Sequence, residues 1–173
     1  MIQAVQEIAR QTLAACASFR TLVGAADSTA ALLRIYHDAL PKPASGGAQH
    51  TLAEMNALRP CAIVYTEPDR GFRRVRDAMG DVGSSAWHSS GIIHLVIFRN
   101  VPTADKDNPS LVDTAFRTVI GSIQDEIVAL SETAGYLDSN AITLSGPWRT
   151  ELTELNSIGD AQACELVVEW GRS

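Results

Sequence analysis

Ile92-Ile93-His94-Leu95-Val96-Ile97-Phe98-Arg99 is the stretch on which the fold turns. Its β-branched and aromatic side chains occupy both parities of a period-2 pattern, so it reads as the strongest strand of the chain, apolar on both faces. It is far too short to cross a bilayer as a helix, which takes about 20 apolar residues. Upstream, Cys61-Ala62-Ile63-Val64-Tyr65-Thr66 is a compact apolar run bounded by Pro60 and Pro68, and predicts a buried strand. Downstream, residues 163–170 alternate. Cys164, Leu166, Val168 and Trp170 share one face and Glu165, Val167 and Glu169 the other, the pattern of a half-buried strand.

Between the last two strands lies the longest periodic segment. Asn108 stands at a capping position before Pro109 at the first helical one. Leu111, Val112, Ala115, Phe116, Val119, Ile120, Ile123, Ile127 and Leu130 follow at helical spacing, and Gly135 closes the segment. A second helix with one buried face is expected over 2–16, from Ile2, Val5, Ile8, Ala9, Leu13 and Cys16, with Gly24 ending the helical region. Asp27-Ser28 caps a short helix through Leu33, and Thr51 to Glu54 has the capping-box spacing for another that stops at Leu58, before Pro60. Residues 35–40 fit either a helix or a strand, with Ile35 and Tyr36 favouring the strand. Phe72 to Asp77 and 92–99 suggest a hairpin with a long tip. The fold class is therefore α+β: one mostly antiparallel or mixed sheet with helices packed on it, including a long amphipathic helix at 109–134. The 173 residues suit one domain, 1–173, with flexible loops near 41–50, 78–91 and 145–162.

Composition narrows the function classes. The chain is 46% hydrophobic, enough for a core without staples, and Cys16, Cys61 and Cys164 are isolated, which predicts reduced core thiols in a reducing compartment. The start, Met1-Ile2-Gln3-Ala4-Val5-Gln6-Glu7, has neither a basic region nor a cleavage-type apolar run, so no secretory signal is expected. Charge is unevenly spread: residues 1–119 hold 12 basic and 11 acidic side chains, residues 120–173 hold 2 basic and 9 acidic. The chain as a whole, at net -6, is no electrostatic glue for nucleic acid. Of its 14 basic residues 12 are arginine, which fits a contact-rich surface and equally a GC-rich genome.

The search for chemistry returns little. There is no GxxxxGK[ST], GxGxxG or GxSxG, and no CxxC or HxxxH ligand spacing. His88 and His94 lack a carboxylate or cysteine at a matching place, so His94 is expected to be a sheet residue with a hydrogen bond. Ser89-Ser90 beside His88 lacks the oriented third group that a nucleophile needs. No catalytic, cofactor or metal residue is assigned. The candidate subunit or partner interface is the densest basic cluster, Arg70, Arg73, Arg74 and Arg76, together with Trp87. The arginines suit a phosphate backbone or an acidic protein surface, or equally a solvated edge strand. Trp87 suits an interface anchor or a ring folded back onto the core.

The order of parts resembles that of phage tail terminator proteins, also called tail completion or minor tail proteins. In that family an N-terminal helix precedes a Leu-Arg-Pro-apolar strand element, here Leu58-Arg59-Pro60-Cys61-Ala62-Ile63-Val64. A long loop, a strong strand, a long amphipathic helix and a final strand follow, here 78–91, 92–99, 109–134 and 163–170. The resemblance covers nearly the whole chain as organisation. It implies a structural, non-enzymatic virion subunit that assembles in the host cytoplasm as a ring, commonly a hexamer. Such a ring caps the tail tube, joins it to the head–neck connector, and passes DNA only as cargo, with no cofactor and no membrane. The alternatives are another neck or head-completion protein, or a small cytoplasmic enzyme.

Overall fold

The computed structural model describes residues 2–67, 73–74, 87–102, 108–132, 142–155 and 161–172. Its central strand is β4 (Trp87–Asn100), which contains the 92–99 stretch. On one side β4 pairs antiparallel with β2 (Cys61–Thr66), whose outer neighbour is the short parallel strand β1 (Ile35–His37). On the other it pairs antiparallel with β6 (Ala161–Arg172), which pairs in turn with β5 (Ile142–Leu155). The order is β1-β2-β4-β6-β5, a mixed sheet; off this path β3 (Arg73–Arg74) pairs with β4. The helices are α1 (Ile2–Ala15), α2 (Ala17–Val23), α3 (Ser28–Leu32), α4 (Leu52–Leu58) and α5 (Pro109–Glu132). This is the α+β arrangement expected, with all three anticipated strands in the sheet.

Register converts the sequence pattern into a core. Ile93, Leu95 and Ile97 of β4 stand opposite Val168, Leu166 and Cys164 of β6, and opposite Thr66, Val64 and Ala62 of β2. Side chains alternate along a strand, so this set shares one face. On it pack Val5, Ile8, Ala9 and Leu13 of α1, Phe19 of α2, and Phe116, Ile120, Ile123 and Ile127 of α5. Each of the larger ones contributes about 1.5–3 kcal/mol by leaving water.

Local signals place the helices. Asp27 accepts the Ala30 N–H, and Thr51 and Glu54 form the reciprocal capping box. Glu54 also accepts the Ser45 N–H at 2.8 Å, which ties the 41–50 segment to α4. Those backbone donors, Thr51 first, draw its carboxyl down to about 2. Gly24 closes α2 with φ 67, a left-handed conformation that glycine adopts without strain. Cys16, the residue before α2, offers no side-chain cap. Glu126 of α5 supplies one instead, accepting the Ser18 N–H at 3.2 Å and its hydroxyl at 2.5 Å.

Three expectations need correction. The 145–162 segment is largely strand: β5 runs through 155 and β6 begins at 161. The sequence reads Ala141 to Leu144 as a short strand candidate and Pro147 to Ala161 as a polar excursion, but β5 is the outermost strand and the register shifts on either side of Pro147, where irregular pairing tolerates a residue with no N–H. The far end of the 78–91 loop, Trp87 to Gly91, is part of β4; residues 78–86 lie outside the described residues. The hairpin expected between 72–77 and 92–99 is shifted: among the described residues Arg73 and Arg74 pair antiparallel with β4 at His88 and Trp87, because residues 93–98 have 61–66 on one side and 163–168 on the other. Of the ambiguous residues 35–40, β1 takes 35–37 and ends before Asp38, at φ 60. Residues 41–50 are without helix or strand.

Candidate functional site

Two places collect polar chemistry. The first is the second face of the sheet, opposite the helices that pack on Leu95. There Tyr36, Leu40, Ile63 and Val96, all partly buried, surround a small core of Cys61, Phe98 and Ala163. His94 lies on this face and its side chain is only 7% exposed. Its Nδ1 is 2.6 Å from Glu165 Oε1 on β6, and its Nε2 is 3.3 Å from Glu67 Oε1, just beyond β2. The Tyr65 hydroxyl donates to the same Glu165 oxygen at 2.9 Å. The Tyr65 and His94 rings stack, with centroids 4.6 Å apart and planes 1° from parallel. Cross-strand register explains the meeting: Tyr65 is the partner of His94, and Glu165 stands one diagonal step away, opposite Val96.

His94 is therefore hydrogen-bonded in the sheet, as anticipated, but the expectation that no carboxylate stands at a matching place is overturned. Glu165 and Glu67 occupy the two ends of its ring. No sequence spacing announces this, since the partners lie 71 and 27 residues away. Among the described residues no three histidines, cysteines or carboxylates group as a metal would require.

The second place is the anticipated interface. Backbone pairing sets Arg73 opposite His88 and Arg74 opposite Trp87, so two of the arginines and the tryptophan belong to one local ladder. Arg172 of β6 pairs with Ser89, the next residue of β4, and brings a third cationic position to this end of the sheet. The sequence left Arg172 in the acidic C-terminal third of the chain. Arg70 and Arg76 lie outside the described residues.

Other arginines have internal duties that composition alone did not reveal. Arg10 of α1 donates to the carbonyls of Leu32 and Ile35 at 2.8 and 3.1 Å, and Arg34 donates to that of Ala57 at 3.1 Å. Arg99 donates to Gln162 at 2.8 Å and to the Val112 carbonyl at 2.7 Å, with its guanidinium 4.6 Å from the centre of the Phe116 ring. Gln162 in turn donates to Asp113 at 2.7 Å, fastening the start of α5 to β4 and β6. A fork of five N–H donors suits such carbonyl-rich helix ends better than a lysine ammonium does. Between α2 and α5 lies an open groove of about 290 Å³, lined by Ala17, Ser18, Thr21, Leu22, Thr118, Val119 and Ser122.

The sequence matches no protein-family model and none of the curated proteins. Among solved structures, a chain from the virion of a native gene transfer agent particle is similar to this one, with 17% identity and a TM-score of 0.46 over 98% of this chain and 95% of that one.

Proposed function

We propose that this chain is a structural subunit of a long-tailed phage virion, a ring-forming tail terminator that caps the tail tube and joins it to the head–neck connector. The observation that carries the reading is the order of elements: α1, then β2 directly after Leu58-Arg59-Pro60, then the long β4, α5 and β6. That is the order by which the sequence resembles tail terminators. The role is steric and interfacial, with DNA as passing cargo and no catalysis asked of any residue. The chain acts as a single unit, and a closed ring, a hexamer, requires two different patches on each subunit to meet across neighbours. The segment with Arg70, Arg73, Arg74, Arg76 and Trp87 is one such patch. The acidic C-terminal third supplies the opposite charge, which steers and orients the contact.

The test is native mass spectrometry of the purified protein, alone and with a tail-tube protein, at low and high salt. A closed oligomer that weakens in Arg73→Glu/Arg74→Glu is the expected result. A protein that stays monomeric at every concentration, with and without the tube protein, overturns the ring. A ring indifferent to the reversed charges overturns the electrostatic account of its contact.

A further inference from the structure

We propose that Glu67, His94 and Glu165 form a proton-operated latch that holds the end of β2 onto β4. An ionised carboxylate can only accept hydrogen bonds, whereas a neutral imidazole has one N–H and one lone pair. His94 faces a carboxylate oxygen at each ring nitrogen, at 2.6 Å and 3.3 Å. Both contacts are donor–acceptor pairs only when the ring carries two protons. Glu165 Oε1 is the shared acceptor of this end, since it also receives the Tyr65 hydroxyl at 2.9 Å. The stacked Tyr65 ring presents its π face to the imidazolium.

The two ends are unequal, and the inequality gives the latch its direction. When one proton leaves, the shorter bond keeps the Nδ1–H, and the Nε2 lone pair is left facing Glu67. That contact turns repulsive. Glu67, 45% exposed at its side chain, is free to turn to water, while Glu165, at 20%, stays. The Glu67 backbone N–H donates to the Ile92 carbonyl at 3.3 Å, just past the last paired residues of β2 and β4, Thr66 and Ile93. Beyond it the chain runs into the arginine-bearing segment. The latch is closed while the ring carries both protons and opens when it loses one. The groups facing the ring are Tyr65 and Glu67 from the β2 side and Glu165 from β6; on β5 the register sets Arg149 opposite Val167 and Glu151 opposite Glu165.

The experiment is long-range proton–nitrogen NMR of the full chain labelled with ¹⁵N-histidine, from pH 5 to 9, with amide exchange read at Glu67. At the acid end of the series both His94 ring nitrogens are expected in the protonated range. On raising the pH, Nε2 alone moves to the unprotonated position, and the protection of the Glu67 amide falls with it. Glu67→Gln, a change at a half-exposed side chain, and Glu165→Gln each remove a carboxylate facing the ring and lower the pH at which Nε2 loses its proton. In His94→Gln the protection of that amide loses the corresponding step. A His94 ring that is neutral with its proton on Nε2 throughout, or a midpoint unmoved by Glu67→Gln, overturns the latch.

Discussion

Neighbouring residues of β4 live in different surroundings. Leu95 points at the helices, 2% exposed, among Leu166, Val64 and the inner face of α5. Val96, the next residue, points at the opposite face, partly buried beside Ile63 and close to the polar group built on His94. One face is dry and held by shape; the other mixes a small apolar patch with charge. An apolar run therefore reports that a strand is central, but not that its two sides are sealed alike.

The sharpest way to break this comparison is to truncate both residues. Leu95→Ala is expected to cost about 2–5 kcal/mol in denaturant unfolding, whereas Val96→Ala on the more open face costs less than about 1.5 kcal/mol. Equal losses would show that the second face is as tightly filled as the first. Next comes Gly91, where an added Cβ would sit 2.7 Å from Nε1 of Trp170, itself 4% exposed. Gly91→Ala must displace the indole and is expected to cost about 1–3 kcal/mol, with a change in tryptophan fluorescence. Glu126→Gln tests how α2 is attached to α5, since an amide caps Ser18 more weakly than a carboxylate. A loss of about 1–2 kcal/mol is expected in the same unfolding assay. The smallest expected effect is none at all: a thiol reagent at pH 8 leaves the native protein unlabelled. Burial pushes Cys16 up to about 12, with Glu126 adding to it, and pushes Cys61 and Cys164 up to about 11. Because these values are raised, their contribution to stability is complete below the ordinary thiol value of 9.0 and is lost as pH climbs through about 11 to 12. Cys61 belongs to the second face, so rapid labelling of it alone would show that face to be wetter than its burial implies.

Legibility followed the range of the interaction. The capping box at Thr51, the Asp27 cap and the Gly24 stop are local and could be read directly from the chain. The apolar periods of α1 and α5 and the alternation at Cys164, Leu166, Val168 and Trp170 were equally readable, because one buried face imposes one period. β5 was not. Ser145-Gly146-Pro147 spells a turn, and the alternation Thr150-Glu151-Leu152-Thr153-Glu154-Leu155 is too polar to stand out. What makes it a strand is the pairing offered by β6. The His94 group was hidden for the same reason, since register brings together residues from β2, β4 and β6 whose spacing carries no signal. Of the anticipated interface, the sequence supplied Arg73, Arg74 and Trp87, and only strand pairing adds Arg172 to that end of the sheet.

The position of β6 has a consequence for how the chain comes to be folded. It is the last of the described strands in chain order, yet it lies between β4 and β5. As the polypeptide is synthesised, α5 and β5 are made while one flank of β4 still has no neighbour. Exposed main-chain donors and acceptors along Ile92 to Phe98 are then a template for pairing with another molecule. Such pairing grows with concentration, so recovery after dilution from denaturant should fall as protein concentration rises, even for variants whose finished fold is fully stable.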